Sequence, residues 1–301
     1  MPTLHEPVLL DEVLESLNPQ AGQNFIDCTF GGGGHSLAIL EKVKPDGKLL
    51  GIDWDPGSLS DSHNNNLILV KDNYRNLKEI YRQIAKKHNF SEVSGILLDL
   101  GLSSDQLEDE TRGFSFNTSG KLDMRFSKDT GGLTASEILS SYSEKELSEI
   151  FKDYGEEPLA KLIAHLIVTA RENGEDLQSA VVLVRLIEDL YRRKFRKPSR
   201  KHPATRVFQA LRIAVNREFE NIEKVLPQAI DLLRVGGRLA VISFHSGEDR
   251  IVKNFFKRLA EVDDAKIKLI TKKPIIAKDQ EIKLNPRARS AKLRVIEKIR
   301  K

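Results

Sequence analysis

Four consecutive glycines, Gly31–Gly34, stand before His35 and Ser36 and directly after a short apolar run. Glycines at such a junction let the backbone approach a ligand and aim amide N–H groups at it from the start of a helix. Asp53 follows about twenty residues on, where the dinucleotide-fold rule places an acid for ribose hydroxyls. Asp72 and Asp99 each end a further apolar run. Aspartate is also a common turn and helix-cap residue; Asp53 and Asp99 read as functional, and Asp72 stays open. Two ligands suit the layout, a nicotinamide dinucleotide or S-adenosylmethionine.

The segment Asp99-Leu100-Gly101-Leu102-Ser103-Ser104 carries the chemistry. The exocyclic amine of a nucleobase has its lone pair delocalised into the ring. Acceptors that grip its N–H atoms orient the nitrogen toward a methyl group, and proximity supplies most of the rate. The Asp99 carboxylate and the Leu100 carbonyl are the acceptors expected here. Amino-group methyltransferases carry an (Asp/Asn)-Pro-Pro-aromatic motif at this place, and the prolines and aromatic are missing. No covalent intermediate is needed, hence no cysteine nucleophile. The single cysteine, Cys28, reads as a small buried strand residue and permits neither an intramolecular disulfide nor a cysteine zinc cluster. No His/Cys/Glu spacing calls for a metal.

These residues must be positioned by alternating strands and helices. Runs at Asn24–Phe30, Lys48–Asp55, Leu67–Asp72 and Gly95–Leu100 read as strands, with helices at Ser36–Val43 and Leu77–Lys87. Such alternation predicts βαβ units and a parallel sheet. Helical spacing then dominates, with candidates at Glu144–Phe151, Pro158–Ala170, Ala180–Tyr191 and Ala204–Arg217. The strand pattern resumes after a helix at Ile222–Leu233 that Gly236-Gly237 should stop. Arg238–Phe244, Lys266–Lys272 and Lys292–Ile299 are the last strands, with a helix at Glu248–Leu259 between the first two. The expectation is an α/β fold, a seven-stranded Rossmann-like class I methyltransferase core with an inserted helical domain. Residues 1–104 and 216–301 form the core and residues 105–215 the insertion. A closing pair of antiparallel strands and the lack of a second glycine fingerprint favour S-adenosylmethionine over a nicotinamide cofactor.

Lys and Arg total 48 against 44 Asp and Glu, a net charge of +4. Arg192, Arg193, Lys194, Arg196, Lys197, Arg200, Lys201 and Arg206 crowd one segment, and Arg287, Arg289, Lys292 and Arg294 another. Basic clusters suit a polyphosphate partner. The N-terminus lacks a basic stretch before a long apolar run, and no segment reaches the roughly 18 apolar residues of a membrane span. A cytoplasmic protein with no membrane partner is expected.

Ten collinear segments then give the chain a resemblance. They are His5–Leu10 (HEPVLL), Asp27–Ser36 (DCTFGGGGHS), Gly51–Pro56 (GIDWDP), Gly95–Leu107 (GILLDLGLSSDQL), Arg112–Phe116 (RGFSF), Leu122–Arg125 (LDMR), Tyr154–Glu157 (YGEE), His202–Ile213 (HPATRVFQALRI), Ile242–Lys253 (ISFHSGEDRIVK) and Asn285–Ser290 (NPRARS). Together they resemble the bacterial small-subunit ribosomal RNA cytosine-N4 methyltransferase family. The resemblance implies S-adenosylmethionine as cofactor, 16S ribosomal RNA or the small subunit as partner, and cofactor contacts at Gly33, Gly34, His35, Asp53, Tyr74, Asp99 and Gln106. Tyr74 stands where the family often has Phe, and Gly247 where it has Leu. Arg125, His202, Arg206, Ser243 and His245 are the candidates for base and phosphate contacts. His245 has two further readings, a general base or a cap for the helix that follows. Another RNA or protein acceptor, a non-catalytic assembly factor and a nicotinamide oxidoreductase are the competing readings; a homodimer stays open.

Overall fold

The computed structural model describes residues 7–54, 65–102, 109–116, 121–127, 131–195 and 202–301. The chain divides into two compact units, Met1–Gly101 with Phe219–Lys301, and Leu102–Glu218.

The first unit is built on seven strands: β1 (Asn24–Asp27), β2 (Leu49–Asp53), β3 (Leu67–Lys71), β4 (Val93–Asp99), β5 (Leu233–Ser243), β6 (Ile267–Leu269) and β7 (Lys292–Lys298). Their order is β3-β2-β1-β4-β5-β7-β6. The first five run parallel, and β7 lies antiparallel between β5 and β6. This is the seven-stranded Rossmann-like methyltransferase sheet.

The central strands are apolar almost without interruption because both faces are covered. Ile26, Leu50, Leu98 and Val241 point into one cluster. Their neighbours Phe25, Leu49, Leu97 and Ala240 point into the other. Helices α1 (Leu10–Leu17) and α2 (Gly34–Val43) cover the second face. The first face takes α3 (Leu77–Lys87) and two later helices, Glu218–Leu232 and Ser246–Ala260. Strand order reverses between β1 and β4, so their carboxyl ends flank the crevice where such sheets bind ligands.

The second unit is helical: α4 (Ala135–Ser141), α5 (Glu144–Asp153), α6 (Ala160–Glu172), α7 (Ala180–Lys194) and α8 (Thr205–Asn216). Leu147/Phe151, Ile163/Ile167, Leu183/Ile187 and Val207/Leu211 recur at i,i+4, and all are buried in one cluster. Each such buried side chain contributes about 1.5–3 kcal/mol of apolar transfer. Capping boxes at Thr134/Glu137 and Ser143/Glu146 start α4 and α5.

Helix α9 (Glu218–Leu232) returns the chain to the sheet, and α10 (Ser246–Ala260) follows β5. The expected stop at Gly236-Gly237 is corrected. The helix ends at Leu232, and both glycines lie inside β5, where the register against β4 slips between Val93 and Gly95. Lys298 supplies the real terminus: its ammonium donates to the carbonyls of Ile230, Asp231 and Leu233. Helices α1, α4 and a short α11 (Asp279–Leu284) were not expected from periodicity. Among the described residues no helix is long and apolar enough to cross a membrane.

Candidate active site

The site grows from the carboxyl end of β1. Asp27, its last residue, is buried. Its Oδ1 accepts from the Thr29 amide (3.0 Å) and hydroxyl (3.2 Å), and its Oδ2 from the Ser36 hydroxyl (2.7 Å). Burial pushes its carboxyl up despite these bonds. The chain then turns through the glycines. Gly33 caps α2 at φ +78°, a left-handed conformation that favours glycine, and an added Cβ would come within 2.9 Å of the Phe30 ring. At Gly32 an added Cβ would meet nothing within 4 Å, so the turn faces open space there. The Gly31 amide donates to Asp53 Oδ2 at 2.7 Å, which ties the glycine turn to the end of β2.

Asp99 ends β4 beside this turn. Its amide donates to the Thr29 hydroxyl oxygen (2.7 Å), so one threonine joins the ends of β1 and β4. Its Oδ2 lies 3.6 Å from His35 Nδ1. Its Oδ1 is buried and has no hydrogen-bond partner among the described residues. Burial raises the Asp99 carboxyl to about 6; His35 opposes the rise, and the nearby acids Asp27 and Glu248 add to it. The Leu100 amide donates to the Ile242 carbonyl (3.0 Å), and Gly101 follows at φ +119° against the Phe244 ring. These two contacts fix the chain as it leaves β4.

A segment with no assigned role in the sequence braces the other side. The Pro7 ring packs on Gly34, where an added Cβ would stand 3.1 Å from Pro7 Cγ. The Val8 carbonyl accepts from buried His35 Nε2 at 2.9 Å.

The end of β5 takes a different form. His245 caps α10: its Nδ1 accepts from the Glu248 amide (3.4 Å), while Glu248 Oε2 accepts from the amides of Phe244 (2.8 Å) and His245 (3.2 Å). With Nδ1 occupied by a backbone N–H, the neutral ring carries its proton on Nε2 and has no lone pair left to act as a base. The cap reading is the one this geometry supports. Ser243 does not meet the expectation of an RNA contact: its side chain is fully buried and its hydroxyl turns to the Lys292 carbonyl (3.4 Å). Arg294, expected in a basic surface cluster, is also buried. It pairs with Asp249 (2.6 Å), as does Lys292 (3.2 Å).

Asp72, left open above, behaves as a turn residue, accepting from the Asn73 amide (2.6 Å) and the Asn76 side chain (2.9 Å). Tyr74 opens the short helical turn Tyr74–Asn76 and is part-buried against the sheet core. Gln106, with Arg196, Lys197, Arg200 and Lys201, lies outside the described residues.

In the helical unit, Arg125 forms a two-pronged pair with Asp123 (2.7 and 2.9 Å). His202 stacks on Phe116 at 4.6 Å, accepts from the Ala204 amide and faces Glu188 at 3.2 Å. Arg206 is exposed on α8. Arg192, Arg193 and Lys194 form the exposed last turn of α7.

Reasoning from sequence missed Asp27 and Thr29. The signal was present, since both stand within DCTFGGGG, immediately ahead of the glycine run.

The residues fit S-adenosylmethionine. Asp53 offers a carboxylate for a ribose, the glycine turn offers open space and helix-start amides, and the acids at Asp27, buried, and Asp99, part-buried, suit a cationic ligand. Known proteins resemble this chain. A curated relative named ribosomal RNA small subunit methyltransferase H, from Thermomicrobium roseum, is 46% identical over 99% of this chain and 94% of its own length. One of the same name from Heliobacterium mobile is 44% identical over 98% and 99%. Among solved structures, an rRNA methylase from Streptococcus thermophilus aligns over 97% of this chain and 94% of its own, at 13% identity and a TM-score of 0.40. A methylase needs a methyl donor, and S-adenosylmethionine is the cofactor here. The MraW methylase family model matches residues 2–299, through both units, and the chain belongs to that family.

Proposed function

We propose that this protein methylates the N4 amine of a cytidine in the decoding region of 16S ribosomal RNA, acting in the cytoplasm. The observation that carries the reading is Asp99 at the end of β4, whose side chain is 25% exposed and whose Oδ1 has no hydrogen-bond partner among the described residues. A buried carboxylate oxygen without a donor is costly, and an exocyclic amine is a donor of the right kind. Asp99, with the Leu100 carbonyl beside it, accepts the amine N–H atoms and turns the nitrogen toward the cofactor. When bound, S-adenosylmethionine supplies an electrophilic methyl group. Gly33, Gly34, His35, Asp53, Tyr74 and Gln106 hold it, Asp53 through its carboxylate. The names of the relatives point to the small-subunit ribosomal RNA as substrate.

Residues 105–215 serve as the substrate-recognition module. Arg206 and the exposed Arg192, Arg193 and Lys194 are the phosphate contacts best supported by their exposure. Arg125, His202 and Arg192 have side-chain partners already, so they contact RNA only by exchanging them. A cytosine inside a helix hides its amine, so the target nucleotide is unstacked when it reacts.

The test is transfer of labelled methyl from S-adenosylmethionine to small subunits from cells lacking this enzyme, followed by nucleoside analysis. N4-methylcytidine at one site is the expected product. Label in any other nucleoside, or in protein, would contradict the reading.

A further inference from the structure

The imidazole of His35 is held by a backbone carbonyl, and a carbonyl only accepts. With Nε2 at 2.9 Å from the Val8 oxygen, the proton of the neutral ring must sit on Nε2. The Nδ1 lone pair is therefore left facing Asp99 Oδ2 at 3.6 Å. The Val8 carbonyl is itself fixed. Pro7 packs on Gly34 before it, and after it Leu9 adopts a left-handed conformation (φ 56°) whose amide donates to Glu281 at 2.7 Å. A non-glycine residue holds that conformation only where its surroundings impose it.

We propose that Asp99 and His35 form a proton-holding pair: Asp99 takes the proton that the methylated amine releases, and His35 stores it on Nδ1. This deepens the amine reading above and rests on it. The balance is simple. The methyl carbon leaves sulfur and bonds to nitrogen. That nitrogen, now with one proton in excess, gives it to the Asp99 carboxylate. The carboxylic acid passes it to Nδ1, leaving a carboxylate and an imidazolium that keeps its Nε2–H on Val8. Neither side chain has to flip. At 3.6 Å the two groups are charge neighbours rather than hydrogen-bonded, and such contacts shorten, or take in one water, when a substrate binds. Among the described residues, the ionisable groups facing Asp99 are His35 from α2, Asp27 from β1 and Glu248 from α10. Both acids oppose a negative charge at Asp99.

The first test needs no cofactor. In protein labelled with ¹⁵N-histidine, the His35 ring nitrogens are followed against pH, with His35→Gln identifying the signals. The neutral ring should appear as the Nε2–H tautomer. Asp99→Asn should alter the Nδ1 signal of the ring, since the two groups face each other at 3.6 Å. An Nδ1–H tautomer, or a ring signal that ignores Asp99→Asn, overturns the proposal. The second test is single-turnover methyl transfer by His35→Gln, whose amide still donates to Val8 but stores no proton. At saturating cofactor the rate should fall at least about tenfold. A wild-type rate overturns the proposal. The two readings separate cleanly. A coupled His35 in a protein that labels no cytosine amine supports the pair and contradicts the acceptor. An uncoupled His35 in a protein that makes N4-methylcytidine overturns the pair alone.

Discussion

Two aspartates of the sheet unit, part-buried Asp99 at the end of β4 and buried Asp249 at the start of α10, face opposite circumstances. Asp249 is met by Arg294 at 2.6 Å and Lys292 at 3.2 Å. Burial alone would push its carboxyl up, but these bonds and charges override that and hold it below the ordinary value. Among the described residues Asp99 has no cation bonded to it, with His35 at 3.6 Å as its ionic neighbour and one oxygen without a donor. Its carboxyl rises to about 6. The contrast separates a charge that builds the fold from one the fold tolerates. A protein leaves a buried acid unsatisfied where a ligand will satisfy it.

Breaking the satisfied side should have the largest effect. Asp249→Ala strands Arg294, whose side chain is only 10% exposed, and should cost about 3–5 kcal/mol in urea denaturation. Because the native carboxyl is depressed, the wild-type advantage is full above the ordinary carboxylate value, 3.8, and fades as pH falls below it. A loss under about 1 kcal/mol would mean that the pair is not structural.

The unsatisfied side should respond with the opposite sign. Asp99→Asn removes a charge whose burial the fold resists, and should raise stability at pH 7.5 by roughly 2 kcal/mol or less. A raised native carboxyl contributes stability below 3.8 that is lost as pH rises through about 6. The gain from Asp99→Asn should therefore vanish on titrating the pair of proteins from pH 7.5 to 4 in thermal melts. A mutant less stable than wild type at pH 7.5 would place Asp99 with Asp249.

Smaller effects sharpen the contrast. His245→Ala removes the α10 cap and should cost about 1 kcal/mol, with Asn restoring most of it. A large rate loss in His245→Asn at normal stability would give this histidine a chemical role instead. Arg206→Ala should change stability by less than about 0.5 kcal/mol and weaken RNA binding, with a salt slope shallower by about one contact. Unchanged binding would remove Arg206 from the interface.

The same contrast explains what could be read in advance. Strands β1 to β5 were legible because both faces of the sheet are covered, and continuous apolar runs follow. The acids at strand ends were legible because ligands sit there in such sheets. Partnering was not. Ser243 and Arg294 have the residue types of a contact surface, yet both are buried, Ser243 where β5 pairs with β7 and Arg294 where it meets Asp249. Gly236-Gly237 looks like a helix stop, but Leu233 already pairs with Val93, and Lys298, far along the chain, takes the helix carbonyls of Ile230 and Asp231 instead. The roles of Thr29 and Val8 depend on contacts across 70 and 27 residues, which no local pattern encodes.

The most direct measurement is single-turnover methyl transfer to small-subunit RNA by Asp99→Asn, with cofactor affinity determined on the same preparation. Asparagine keeps the size of the side chain and loses the charged acceptor. The account predicts cofactor affinity within about tenfold of wild type and a rate lower by roughly 10³-fold, the scale of one lost electrostatic contact in a buried site. A folded mutant that binds cofactor and transfers methyl within tenfold of the wild-type rate would contradict it.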